Sequence, residues 1–225
     1  MAHRLIRNLN KKIPTRIDQK IVQPFKNLLV LDFEATCIQN KILKPQEIIE
    51  FPCLVVSTKD WQVKDAFHEY VKPRVNPELS EFCTELTGIM QETIEDEENF
   101  PQVFEKFNQW IDEGEYFRDK TESTFVTCGN WDLKVMLRQQ CELENIPVPE
   151  YMKEWIDIKR TFYAATNYYP RSLKDMLRHF NMEFQGRSHC GIDDTHNLVR
   201  IIQMLAIKHK ASFVIPEKLE WDFSE

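Results

Sequence analysis

The stretch NLLVLDFEAT (27–36) opens with an unbroken apolar run and then takes on two acids. The apolar part is the pattern of a strand covered on both faces. EIIEFPCLVVSTK (47–59) and WQVKDAFHEYVKP (61–73) read as further strands, joined by a short turn at Lys59 and Asp60. Three strands in succession predict a meander. ELSEFCTELTG (78–88) reads as a short helix stopped at Gly88. Pro101 opens another, with Val103, Phe104, Phe107, Trp110 and Ile111 at helical spacing. STFVTCG (123–129) is a strand, and WDLKVMLRQQCEL (131–143) a helix directly after it. WIDIKRTFYAAT (155–166) fits a strand and a helix equally well. SLKDMLRHF (172–180) begins with a serine cap, and IDDTHNLVRIIQMLAIKHK (192–210) is a long amphipathic helix. The expected architecture is α/β, a central mixed five-stranded sheet flanked by helices.

Composition narrows this picture. With 225 residues, 42% of them hydrophobic, the chain suits one globular domain. The expected division is a basic arm at 1–26, a domain at 27–210 and a tail at 211–225. No apolar run approaches the roughly 18 residues of a membrane span, and MAHRLIRNLN lacks the apolar core of a secretory signal. No membrane partner is expected. None of the six cysteines falls in a CxxC pair, which argues against zinc and for reduced, buried thiols. An intracellular setting follows, cytoplasm and nucleus both being open. The net charge of −7 is uneven. Residues 1–26 carry seven Lys or Arg and one acid, leaving −13 for the remainder. Such an arm either touches a polyanion or solubilises a loose terminus.

The acids carry the chemistry. On a strand, residues i and i+2 share a face, so Asp32 and Glu34 point the same way. Like charges that close raise each other's pKa, and a divalent cation such as Mg²⁺ resolves the conflict. A solvated strand end is the ordinary alternative. In the last helix the apolar stripe Leu198, Ile201, Ile202 and Leu205 leads back to Asp194, which is expected to face the core, while Asp193 is expected to face solvent. A helix amino terminus favours acids in any case. Asp132, in CGNWDL, lies just beyond the carboxyl end of a strand, where ligand crevices form in α/β sheets. His189, five residues before Asp194 in a loop flanked by glycines, is placed to serve as a general base or as a surface histidine.

Taken in order, VLDFEATC, ELTGI followed by FPQVF, CGNWDL and GRSHCGIDDTHN resemble the DEDD exonuclease superfamily in its histidine-containing branch. The likeness is to the 3′–5′ exonucleases of the histone-mRNA and enhanced-RNA-interference group. It extends from about residue 28 to 205. The resemblance implies a ribonuclease H-like fold and two divalent ions, Mg²⁺ with Mn²⁺ able to substitute, held by Asp32, Glu34, Asp132 and Asp194. Asp32 would touch both ions, Glu34 and Asp194 one, and Asp132 the other, directly or through water. His189 would take the proton of the attacking water. Nucleoside 5′-monophosphates would leave one by one from the 3′ end of a single-stranded or overhanging nucleic acid, RNA ahead of DNA. Trp131, Leu86, Thr87 and Ala35 are the expected substrate contacts, with plain core packing the competing reading for Trp131 and Leu86. The 26 residues before the first strand are too few for the SAP-type module of some members, so none is expected.

Two rivals remain. DFEAT and GIDD brush against the haloacid-dehalogenase phosphatase pattern, but that chemistry needs a second Asp where Glu34 stands. It also leaves Asp132 and His189 without roles. A non-catalytic nucleic-acid binder on the same fold would not need all four acids and the histidine.

Overall fold

A computed structural model describes residues 21–215. Most of the basic arm (1–20) and the end of the tail (216–225) lie outside the described residues. The first strand, β1 (Asn27–Leu31), is buried from Leu28 to Leu31. It pairs antiparallel with β3 (Ile48–Ser57) and parallel with β5 (Ser123–Thr127). β3 pairs antiparallel with β4 (Val63–Tyr70), and β5 pairs parallel with β6 (Trp155–Asp157). The sheet is therefore mixed, as expected, with the meander β1–β3–β4 at its antiparallel end.

It holds six strands where the sequence suggests five. The extra one, β2 (Glu34–Ala35), is a continuation of β1. Leu31 faces Cys53 and Glu34 faces Glu50 in one register along the same edge of β3, which then shifts at Ala35, opposite Ile48. The line is interrupted at Asp32 and Phe33 because the Phe33 N–H leaves the ladder and donates to Oδ1 of Asp132 at 2.9 Å. The break thus falls on the acids that the sequence marks.

Helices cover both faces. Leu29, Leu31 and Phe33 point toward α3 (Phe100–Glu113), whose buried Phe100, Val103, Phe104, Phe107 and Ile111 repeat at helical spacing. Phe107 lies 4.5 Å from Phe51, ring centroid to centroid. Each fully buried phenylalanine there contributes about 1.5–3 kcal/mol. Leu28 and Val30 point the other way, onto α7 (Gly191–Lys208), which buries Leu198, Ile201, Ile202 and Leu205 as its stripe predicts. α1 (Glu81–Thr87), capped by Ser80, and the short α2 (Gln91–Ile94) precede α3, and α4 (Arg138–Glu144) comes after it. They are followed by α5 (Ile158–Thr166) and α6 (Leu173–His179), the latter capped by Ser172.

The ambiguity of WIDIKRTFYAAT has a physical answer, since the segment is both. It runs as β6 to Asp157, whose carboxylate accepts the Lys159 N–H at 2.9 Å and starts α5. The segments flanking the 27–210 domain are joined to it where described. Phe213 is fully buried against Trp61, and Gln23 bonds Ala211 and Phe213, each at 3.0 Å. Among the described residues no helix is long and apolar enough to cross a membrane.

Candidate active site

The break after β1 carries Asp32 and Glu34 onto the face that α7 approaches. The start of α7 presses close there. A Cβ on Gly191 would lie 2.8 Å from the Asp32 carbonyl oxygen and 3.1 Å from Oε2 of Glu50, so glycine is required for the approach. The helix has no side-chain cap of its own at Cys190. Its first N–H groups are taken instead by Glu50. Oε2 accepts from Gly191 at 2.8 Å, Oε1 from Ile192 at 3.0 Å, and His68 Nε2 meets Oε1 at 2.9 Å. Glu50 is fully buried. A carboxylate at a helix amino terminus satisfies orphan donors and opposes the helix dipole, worth up to about 2 kcal/mol when partly buried. Glu50 thereby fixes the end of α7 that bears Asp194. The sequence reading missed it, although a carboxylate inside the apolar run of β3 is the same anomaly that draws attention to Asp32.

Asp194 is buried, as expected, and its Oδ2 accepts the His189 N–H at 2.8 Å. His189 sits at φ +63, a conformation side chains other than glycine seldom adopt, and this bond holds it there with the ring exposed. The expectation that Asp193 faces solvent is incorrect. Asp193 is half-buried, and its Oδ2 accepts the Arg187 N–H at 2.7 Å, folding the 186–189 loop back on the helix. The buried face of α7 is wider than its apolar stripe and includes Asn197, which bonds both backbone groups of Gln185.

Asp132 arrives from the far side. A π-helical stretch, Trp131–Leu137, leads into α4 and buries Asp132, Leu133, Met136 and Leu137 while leaving Trp131 40% exposed. Of the other expected substrate contacts, Leu86 is half-buried, and Ala35 and Thr87 are buried. The Thr87 hydroxyl donates to the Cys83 carbonyl and accepts from Ile89 N–H, closing α1 before Gly88.

The acids titrate as a mutually repelling group. Burial raises Asp32 well above the usual carboxylate range, and Asp132, Asp194, Glu34 and Glu50 raise it further. Burial, then Asp194 and Glu50, pushes Glu34 up to about 8. Burial takes Asp132 to about 7 against the opposing bond from Phe33, and Asp194 to about 6 against that from His189. Burial and the Lys174 charge hold His189 below the ordinary histidine value, so its ring is neutral at pH 7. Oxygen atoms of Glu34 and Asp194 and a ring nitrogen of His189 all lie within 4.8 Å of one another. Clustered carboxylates, with Lys174 acting on Asp194 alone among them, suit a hard divalent cation.

The model of the RNase_T exonuclease family matches residues 29–202. Human ERI1 exoribonuclease 3 is 42% identical over 187 residues, which cover 83% of this chain and 55% of that protein. Human 3′–5′ exoribonuclease 1 is 38% identical over 185 residues, covering 79% and 52%. The chain thus spans about half the length of the curated relatives it matches. The nuclease domain of 3′hExo, described as a DEDDh family member bound to rAMP, superposes with a TM-score of 0.81 at 34% identity. That match covers 87% of this chain and 98% of the other. A 3′-exonuclease solved in recognition of the histone mRNA stem-loop gives 0.83 at 32% identity, over 91% and 71% of the two chains. With Glu34, Asp194 and His189 close together and Asp32 within electrostatic reach of Glu34, Asp132 and Asp194, the chain belongs to the exonuclease family, in its histidine-containing DEDDh branch.

Proposed function

We propose that the protein is a 3′–5′ exonuclease that shortens RNA from its 3′ end and releases nucleoside 5′-monophosphates. Divalent-metal use comes with the family. The reading adds that the ions are two Mg²⁺, replaceable by Mn²⁺, held by Asp32, Glu34, Asp132 and Asp194. What supports it is the grouping of Glu34, Asp194 and His189 within 4.8 Å of one another, with Glu34, Asp132 and Asp194 acting on Asp32 from three separate segments. A bound pair of ions would neutralise that charge and stabilise the attacking and leaving oxygens of an in-line displacement. The neutral His189 ring, on an exposed loop beside Asp194, takes the proton of the attacking water at a ring nitrogen. Trp131 and Leu86 offer accessible apolar surface to the terminal base, while Ala35 and Thr87 shape the wall beside Glu34.

RNA is favoured over DNA because the relatives are exoribonucleases and the similar 3′hExo nuclease domain is bound to rAMP. A single-stranded or overhanging 3′ end in an intracellular setting is the substrate this implies. The phosphatase alternative has no use for Asp132 or His189, both of which stand at the cleft.

The test is digestion of matched 5′-labelled single-stranded, duplex and overhanging RNA and DNA, with Mg²⁺ and with chelator. A metal-dependent ladder from the 3′ end of RNA, with 5′-monophosphates released, is expected. Internal cutting, or inorganic phosphate as the product, would sink the proposal.

A further inference from the structure

The two walls of the cleft are oppositely charged. Residues 75–99, which build α1 and α2, hold eight Asp or Glu and no Lys or Arg, and all eight acids are exposed. This wall borders the site directly. The Cys83 Sγ approaches the Ala35 carbonyl at 3.8 Å, and the Arg187 guanidinium of the His189 loop donates to the Glu85 carbonyl. Residues 157–179, the α5 cap through α6, hold five Lys or Arg against two acids, Asp157 and Asp175, which lie 4.0 Å from Arg160 and 3.7 Å from Arg178 respectively, within a chain of net charge −7. This wall borders the site too. Lys174, in the first turn of α6, acts electrostatically on both His189 and Asp194. Lys159 Nζ would lie 4.0 Å from a Cβ on Gly129, beside the strand end that delivers Asp132.

A strand with its 3′ end among the carboxylates must leave over one wall or the other. Its phosphates are repelled by the first and attracted by the second. The second also offers aromatic surface. Tyr163 is 49% exposed and Tyr169 57%, their rings 6.1 Å apart at 61°. Tyr163 follows Lys159 by four residues, on the same face of α5. Lys159 Nζ donates to the Arg171 carbonyl at 3.1 Å, which fixes the α5–α6 loop beside that face. Basic side chains interleaved with exposed rings are the makeup of a track for single strands. Phosphates meet the cations, and any base can stack.

We propose that the outer face of α5, the α5–α6 loop and the first turn of α6 form this track for the nucleotides upstream of the scissile one. Lys159, Arg160, Arg171 and Lys174 meet phosphates there, and Tyr163 and Tyr169 stack bases. The proposal rests on the exonuclease reading only for the position of the 3′ end.

Two measurements test it on the full chain. In chelator, the affinity for a fluorescent single-stranded RNA of about twelve nucleotides is read by anisotropy. In Mg²⁺, kcat/KM for that oligomer is compared with kcat/KM for a dinucleotide. The double substitution Tyr163→Ala and Tyr169→Ala should weaken oligomer binding about tenfold, as loss of one stacked base would. The oligomer-to-dinucleotide ratio should fall by a similar factor. Arg160→Gln with Arg171→Gln should flatten the dependence of log affinity on log salt by about 0.7 for each phosphate released. Unchanged binding in both variants overturns the track, as does a ratio that does not move. Should the wild type cleave nothing while the binding losses appear, the nuclease reading fails and the track stands.

Discussion

Two pairs of acids on neighbouring stretches of the same ribbon meet opposite circumstances. Glu47 and Glu50 are enclosed by donors. Glu47 accepts the backbone N–H groups of Arg74, Val75 and Asn76 at 2.6–2.9 Å, and Glu50 those of Gly191 and Ile192 together with His68. Asp32 and Glu34, on the adjoining strand, receive no hydrogen bond from the described residues and face each other, Asp132 and Asp194 instead. Glu34 and Glu50 are cross-strand partners in the ladder, so place in the sheet does not separate the two kinds, although half-buried Asp32 is more open than fully buried Glu50. What separates them is whether the fold supplies a donor. An acid that the fold satisfies holds loops and helix ends together. An acid left unsatisfied beside three others requires a counter-ion from outside, and it marks the site.

The sharpest way to break this distinction is to remove one acid of each kind. Asp32→Ala should lower exonuclease turnover by more than about a hundredfold, the scale of losing a preorganised electrostatic contact. Its melting temperature without metal should hold or rise, because a carboxyl whose ionised form is disfavoured there is gone. A large drop in melting temperature would show that Asp32 belongs with Glu50. His189→Ala should cost about a hundredfold or more in turnover at neutral pH, the range of a general base, with Mg²⁺-dependent thermal stabilisation retained. Turnover equal to wild type would take His189 out of the proton transfer.

Glu50→Ala should do the reverse of Asp32→Ala. It strands the N–H groups of Gly191 and Ile192 and leaves His68 without its partner. Orphaned buried donors cost about 1–3 kcal/mol each, or about 2–4 °C in melting temperature per kcal/mol for a domain this size. Activity should fall with it, since the end of α7 carries Asp194. A Glu50→Ala protein as stable as wild type would remove the grounds for treating Glu50 as structural.

The site acids, Asp32 and Glu34 without a donor among the described residues and Asp132 and Asp194 with one backbone donor each, were legible in the sequence because each breaks a local pattern. Asp32 and Glu34 interrupt an apolar strand, Asp194 sits on an apolar stripe, and Asp132 follows a strand end. The satisfied ones were harder to read, because their partners are far off in the chain. Glu50 meets Gly191 across 141 positions, and nothing local foretells that contact. The split of β1 had the same origin, since Phe33 bonds a carboxylate 99 positions away. Asp193 went to the wrong side because apolarity alone underestimates the buried arc of a helix when Asn197 is held by the backbone of a loop. The turn from strand to helix at Asp157 was visible as ambiguity, and only the cap at Lys159 resolves it.

The smallest expected effect concerns protons. Burial and the neighbouring acids raise Glu34 to about 8, and burial raises Asp132 to about 7, above the ordinary carboxylate values near 4 that an unfolded chain would show. In metal-free protein the folded state therefore binds more protons than the unfolded state between about pH 4 and 8, and stability falls as pH rises through that window. His196 runs the other way. Burial lowers it to about 4, so it adds stability as pH rises toward 6.5 and nothing beyond. From pH 6.5 to 8 the carboxylates act without that offset. Bound cations take up the same charge and compete with the same protons, so the gain in melting temperature on adding saturating Mg²⁺ should be larger at pH 8 than at pH 6.5, by a few degrees. Groups remote from the site titrate alike with and without metal and cancel in that difference. An equal gain at the two pH values would mean that Asp32 and Glu34 shed their protons without help from a cation, and the contrast with Glu47 and Glu50 would dissolve.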